Sequence, residues 1–343
     1  MGKVNISQVA AAAKVSKATV SYYLNGNYER MSPATRKKLD KIVAELEYVP
    51  SLGAQSLSRR SKSMTIGVIL ERTYIFSSSS MDFFMNMVKY IGRVIVDAGY
   101  KIVLIPDSES GSDNIVEYVL SMADLLDGFF IFNLQEDDVY IRALKKRKIP
   151  FVCFGYPYDE TVNNFIATDQ GKGIALGVDW AFSQGADDVV LTLYHASGVV
   201  SRQYYDGYKM AYAKAGREID ESLILKDIRP DSEDFRNAVV KIFDRGFVKM
   251  CFIIPYRQLI TLLSIAEEYG KVQGKDFIVI LLDYFPDSGN DQKYARIACP
   301  MEDLGTTGAK MLLEAIDRND ISTLTPKMFD PEFVKGESCY FGE

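Results

Sequence analysis

Apolar residues follow two regimes along this chain. Over the first fifty residues they are sparse and recur at helical spacing. Val9, Ala10 and Ala13 share one face, Val20, Tyr23 and Leu24 a second, and Leu39, Ile42, Val43 and Leu46 a third. From Thr65 the pattern changes to short apolar runs at 65–70, 101–105, 128–132, 151–154, 188–193, 249–254 and 277–282. Segments of helical length and period lie between them, at 83–98, 171–184, 204–215, 234–243 and 258–269. That alternation predicts parallel sheets covered by helices on both faces. The expected architecture is an all-α head followed by an α/β body, and the 280 residues of 64–343 can bury a substantial core.

Capping residues sharpen the head. Asn5 with Gln8 three residues later forms a capping box for a first helix. Val15 sits in the turn, Ser16 caps a second helix, and Gly26 is a natural stop. Ser32 and Pro33 open a third. The second helix sorts its residues by side: opposite Val20, Tyr23 and Leu24 lie Lys17, Ala18, Ser21, Tyr22 and Asn25. Two short helices joined by a tight turn, the second with a polar face, read as a helix-turn-helix unit, although small structural bundles share that outline. Charge favours the first reading. Residues 1–63 carry 11 Lys/Arg against 4 Asp/Glu, a balance of +7, while the whole chain is −6. A basic head on an acidic body is the asymmetry expected for nucleic-acid contact through one end.

The run Val15-Ser16-Lys17-Ala18-Thr19-Val20-Ser21 resembles the lactose-repressor (LacI/GalR) family of bacterial transcription regulators. So do Ser32-Pro33-Ala34-Thr35-Arg36-Lys37-Lys38, Leu46-Glu47-Tyr48-Val49-Pro50 and the hinge-like Pro50-Ser51-Leu52-Gly53-Ala54-Gln55-Ser56-Leu57. The resemblance is strong in the first 60 or so residues and weaker beyond. It implies a DNA-binding domain at 1–50, a hinge helix and linker at 51–63, and an effector-binding and dimerisation domain at 64–343. The body would be periplasmic-binding-protein-like, with one subdomain at about 64–165 and 296–325 and another at about 166–295 and 326–343. Lys17, Ala18 and Tyr22 would face base edges, and Ser16, Thr19, Ser21, Asn25, Ser32 and Thr35 would position the head on phosphates. Ala54 and Leu57 would enter the minor groove, with Leu57 as a wedge. Gly53 weakens the hinge helix by roughly 0.5–1 kcal/mol relative to Ala, which suits a helix that forms only on DNA; a passive linker is the alternative. Arg59, Arg60 and Lys62 are either phosphate contacts or a solvated run.

Two departures from the family stand out. Position 22 is Tyr where Arg is common, so Tyr22 offers a hydroxyl and a ring edge in place of a bidentate fork, or packs on the sugar-phosphate backbone. Tyr22→Arg is expected to move base preference there toward guanine. In the body, Pro255-Tyr256 replaces the family's frequent Asn-Asp pair, and Tyr204 stands where an Arg is usual. The cleft candidates are the aromatics Tyr74, Phe76, Phe83, Tyr156, Tyr204 and Tyr256, with the polar Asp107, Asp169, Arg202 and Asp283. Each aromatic is alternatively core packing, and Asp169 and Asp283 are alternatively caps of the elements after them. The serine run 77–80 lacks the glycines and lysine of a phosphate loop and reads as a flexible rim of the cleft.

His195 has no evident triad or metal partner, so no catalytic constellation, metal or cofactor is expected. The four cysteines are dispersed, which suits a reducing cytoplasm. No signal peptide, membrane span or leucine-heptad tail is evident. The expected protein is a cytoplasmic homodimeric regulator, a repressor, that binds a pseudo-palindromic DNA operator under control of a small molecule, first a sugar or sugar phosphate. Two alternatives stay open: the same head with a nucleobase or protein co-regulator, and a solute-binding receptor.

Overall fold

A computed structural model describes residues 4–24, 26–48, 62–70, 78–106, 113–122, 125–132, 134, 136–193, 198–228, 232–282 and 293–342. Chain contacts divide it into two units, residues 1–63 and 64–343.

In the first unit each helix begins where a side chain satisfies N–H groups that no carbonyl can reach. Asn5 Oδ1 accepts from the Ser7 and Gln8 backbone N–H groups at 3.0 and 3.1 Å, and Gln8 Oε1 accepts the Asn5 N–H at 2.8 Å. That box opens α1 (Ile6–Ala13). Lys14 takes a left-handed conformation (φ 52°), and the Val15 N–H reaches back to the Ala10 carbonyl. Helix α2 (Lys17–Leu24) follows, and then Gly26 turns the chain at φ 75°. One 3-10 turn, Tyr28–Arg30, leads to α3 (Pro33–Glu45). Val9, Ala10, Ala13, Val20, Leu39 and Tyr48 form the buried centre, with Val15, Tyr23, Leu24, Ile42, Val43 and Leu46 packed around it.

The second unit contains two parallel-dominated sheets. The first comprises β1 (Thr65–Leu70), β2 (Lys101–Pro106), β3 (Gly128–Ile131), β4 (Phe151–Phe154), β5 (Phe165–Thr168) and β11 (Lys327–Phe329). Its order is β11-β5-β4-β3-β1-β2, and every pairing is parallel. The second comprises β6 (Asp188–Leu193), β7 (Ile224–Lys226), β8 (Met250–Pro255), β9 (Phe277–Leu282), β10 (Ala295–Ala298) and β12 (Glu332–Val334). Its order is β12-β10-β9-β8-β6-β7, with only the β10–β12 pair antiparallel. All six residues of β9 are buried, as a strand covered on both faces requires.

Helices Ser78–Asp97 and Met301–Arg318 pack together against the first sheet. Helices Gln170–Ser183 and Val199–Ala215 pack together against the second. The second pair touches closely at Gly207, where a Cβ would lie 2.0 Å from the Gly171 carbonyl oxygen. The chain leaves one sheet for the other after Thr168, Ala298 and Phe329. β5, β10 and β11 each complete their ladder in one sheet before the chain departs. The serine run also differs from expectation: Ser78–Asp97 is one helix, so its first turn takes in three of the four serines that read as a flexible rim.

Candidate nucleic-acid interface and effector cleft

The outward side of α2 is built from its cap. Ser16 Oγ accepts the Thr19 N–H at 3.0 Å and lies 2.9 Å from Thr19 Oγ1. The arrangement recurs at α3, where Ser32 Oγ accepts the Thr35 N–H at 3.1 Å and lies 2.9 Å from Thr35 Oγ1. Both helices thus present a hydroxyl pair at an N-terminal end, where unpaired N–H groups and the helix dipole attract anions. Lys17 and Ala18 are exposed, and Ser21 and Tyr22 are half-buried. Val20, on the opposite side, is fully buried.

A layer of rings and cations holds this face. Tyr23 donates to Asp40 Oδ1 at 2.6 Å, tying α2 to α3. Burial, and then the Asp40 bond and charge, push the Tyr23 hydroxyl up to about 12. Tyr28 meets Tyr23 edge-on with ring centres 6.0 Å apart, and the Arg36 guanidinium lies 3.8 Å above the Tyr28 ring. The Arg30 guanidinium lies 4.9 Å above the Tyr22 ring. Asn25, Ala54 and Leu57 lie outside the described residues.

In the body, the segments joining the sheets are tied to one another. The Asp169 N–H donates to the Phe329 carbonyl at 2.9 Å, Lys172 pairs with Asp330, and Gln170 Nε2 lies 3.7 Å from Cys299 Sγ. Asp169 caps helix Gln170–Ser183 by accepting the Lys172 N–H at 2.9 Å, the alternative role foreseen for it. Its charge also reaches Tyr156, which follows β4. Burial first, and then Asp169, raise the Tyr156 hydroxyl above its ordinary value, while the Gln203 side chain opposes them. Tyr156, Asp169 and Gln203 therefore meet beside the crossing, beyond the carboxyl ends of β4 and β5, where open sheets place ligands.

The sequence of the head matches the family described as "Bacterial regulatory proteins, lacI family" over residues 5–51. The transcriptional regulator CelR of Thermobifida fusca is 26% identical over 222 residues, 64% of either chain, so that match spans just under two thirds of CelR. The transcriptional regulator KdgR of Bacillus subtilis (strain 168) is 26% identical over 323 residues, 92% of either chain. Among solved structures, a Lac repressor dimer bound to operator and an anti-inducer aligns over 99% of this chain and 100% of its own, with TM-score 0.81 at 21% identity. The head is a LacI-family domain. The body has the fold of this neighbour.

Of the remaining cleft candidates, the described side chains lie on two helices. Tyr204 is half-buried and packs against the second-sheet core, while Arg202 is exposed on the same helix, Val199–Ala215. Tyr256 opens helix Tyr256–Glu268 at the carboxyl end of β8 and is 41% exposed. Phe83 belongs to helix Ser78–Asp97, but its side chain is not among those described. Tyr74, Phe76, Asp107, Asp283 and His195 lie outside the described residues.

Two glutamines escaped the sequence reading. Gln203 Oε1 and Gln258 Nε2 are buried with no hydrogen-bond partner among the described residues, and Gln258 Oε1 accepts from Thr192 at 2.9 Å. A glutamine inside an amphipathic helix carries no mark of burial; only its place between Arg202 and Tyr204 pointed to Gln203. Among the described residues, no three His, Cys, Asp or Glu side chains are placed to hold a metal, and no helix is long and apolar enough to cross a membrane.

Proposed function

We propose that this protein is a repressor that binds a pseudo-palindromic operator as a homodimer and releases or tightens its grip when a sugar or sugar phosphate enters the body. The observation that carries the DNA half is the doubly capped head: two helix N-terminal ends with Ser–Thr hydroxyl pairs flank a polar helix face. Lys17, Ala18 and Tyr22 are the base readers, and Ser16, Thr19, Ser21, Ser32 and Thr35 the phosphate contacts. Asn25, Ala54 and Leu57 complete the set by family resemblance.

The effector half rests on Gln203 beside Tyr156 and Asp169. A buried acceptor without a donor costs about 1–3 kcal/mol, and a ligand hydroxyl would satisfy it. A neighbouring carboxylate and phenol suit the same chemistry. The CelR–cellobiose complex, similar to this chain with TM-score 0.67 at 22% identity, makes a saccharide the first ligand class to test. Sequence, fold and sensor architecture together favour a cytoplasmic regulator over an enzyme.

Operator selection from a random duplex library tests the first half, with a two-fold-related site as the expected product. Thermal melting with a panel of sugars, sugar phosphates and nucleobases tests the second. A ligand at a hundred times its Kd stabilises by about 2.7 kcal/mol. Stabilisation by a nucleobase alone would overturn the saccharide assignment. Gln203→Leu is expected to weaken the sugar response without unfolding the body.

A further inference from the structure

Tyr22 lacks the fork that reads guanine, yet a guanidinium lies over its ring. Arg30 comes from the 3-10 turn after α2, with its carbon 4.9 Å from the Tyr22 ring centre. That turn is held by its own contacts. The Asn27 N–H donates to the Tyr22 carbonyl at 2.9 Å, and the Tyr28 N–H to the Gly26 carbonyl at 2.9 Å. Tyr28 is clamped between Tyr23 and Arg36, and Tyr23 in turn is bonded to Asp40. Arg30 is thus an exposed side chain on a braced turn, with its guanidinium over the ring of a residue of α2.

Stacking and reading use different regions of a guanidinium. A guanidinium can offer its planar face to a ring while its N–H donors point outward in the plane. A stacked arginine keeps its edge available and loses less conformational freedom on binding than an arginine without a platform. Glu29 is the competing partner, but its carboxylate lies 3.9 Å from Arg30 Nε, with both side chains more than half exposed. A pair that long and that exposed contributes little.

We propose that Arg30 is a specificity-determining residue of this head, carried by Tyr22 as a platform, and that it reads a guanine edge beside the base under Tyr22. The pair would divide the work of the single arginine common at position 22. The proposal rests on the reading of base edges by α2 given under the proposed function.

The test is operator selection from a random duplex library with the full-length protein and four variants: Arg30→Ala, Arg30→Lys, Tyr22→Ala and Tyr22→Phe. The wild type should select guanine at one position of each half-site. Arg30→Ala and Arg30→Lys should lose that preference and keep the others, because Lys has no planar fork. Tyr22→Ala should lose it too, and Tyr22→Phe, which keeps the ring, should retain the guanine. Affinity of Arg30→Ala for the wild-type operator should fall on the order of tenfold to a hundredfold. Two results overturn the proposal. One is an unchanged guanine preference in Arg30→Ala. The other is an equal loss on every sequence with a salt slope reduced by about 1, the mark of a phosphate contact. A wild type that selects no sequence would instead overturn the reading of base edges by α2, and this proposal with it.

Discussion

Tyr23 joins two helices of the head through one hydroxyl, which gives it a stability role separable from recognition. Its bond to Asp40 should make Tyr23→Phe less stable by roughly 1 kcal/mol. The pH dependence has a definite sign. The folded hydroxyl titrates at about 12, above its ordinary 10. Its contribution is therefore fully present below pH 10 and is lost as pH rises from 10 through 12. Melting of wild type and Tyr23→Phe from neutral to alkaline pH should show a gap that closes over that window; a gap that persists beyond pH 12 would contradict the assignment. In the body, Gly207 is the residue least able to change. A Cβ there meets the Gly171 carbonyl at 2.0 Å, so Gly207→Ala must push the two helices apart. A loss near the upper end of the usual 1–3 kcal/mol for overpacking is expected in urea denaturation. Unchanged stability would mean that the helices do not approach so closely.

Among the elements, α2 carries a cap that has two jobs. Ser16 closes the helix and, on the proposed reading, offers its hydroxyl to phosphate, and substitutions can separate these. Ser16→Ala should cost about 1 kcal/mol of head stability and weaken operator binding. Ser16→Asp should restore the cap but place a negative charge against phosphate, giving a stable head with poorer DNA affinity than Ser16→Ala. Equal DNA binding by the two variants would argue that Ser16 does not meet the backbone. The head was legible in the sequence because its caps, turn glycine and apolar spacing are local signals: Asn5, Ser16, Gly26 and Ser32 all stand where those signals put them. The long buried strands were legible for the same reason. β5, β7, β10, β11 and β12 were not, because each is only three or four residues long and includes a polar or charged residue, unlike the wholly apolar β3 and β4. The start of helix Ser78–Asp97 was misread because serine favours turns and caps. Phe84, Met87, Ile91 and Ile95, all buried, form the apolar stripe that anchors the helix downstream. The cleft was the least legible region. Asp169 and Tyr156 lie far apart in sequence from Gln203, and only the crossing of the chain between sheets brings them together.

At the scale of the whole molecule, a head of charge +7 is joined to a body that makes the chain −6 overall. Phosphate contacts should therefore come from the head alone, and operator affinity should fall linearly with the logarithm of salt concentration. The body holds its three sheet-to-sheet crossings together through Asp169–Phe329, Lys172–Asp330 and Gln170–Cys299 contacts, beside the candidate cleft. A ligand seated at Tyr156, Asp169 and Gln203 is well placed to shift the angle between the sheets. It can move the DNA equilibrium only by the difference between its affinities for the two states, typically about 1–3 kcal/mol. The most direct test is the affinity of the full-length protein for its selected operator, at fixed salt, with and without the sugar that stabilises it. The account predicts a change of roughly 5- to 150-fold, with operator altering the sugar's affinity by the same factor. Equal operator affinity in the presence and absence of saturating sugar would contradict it.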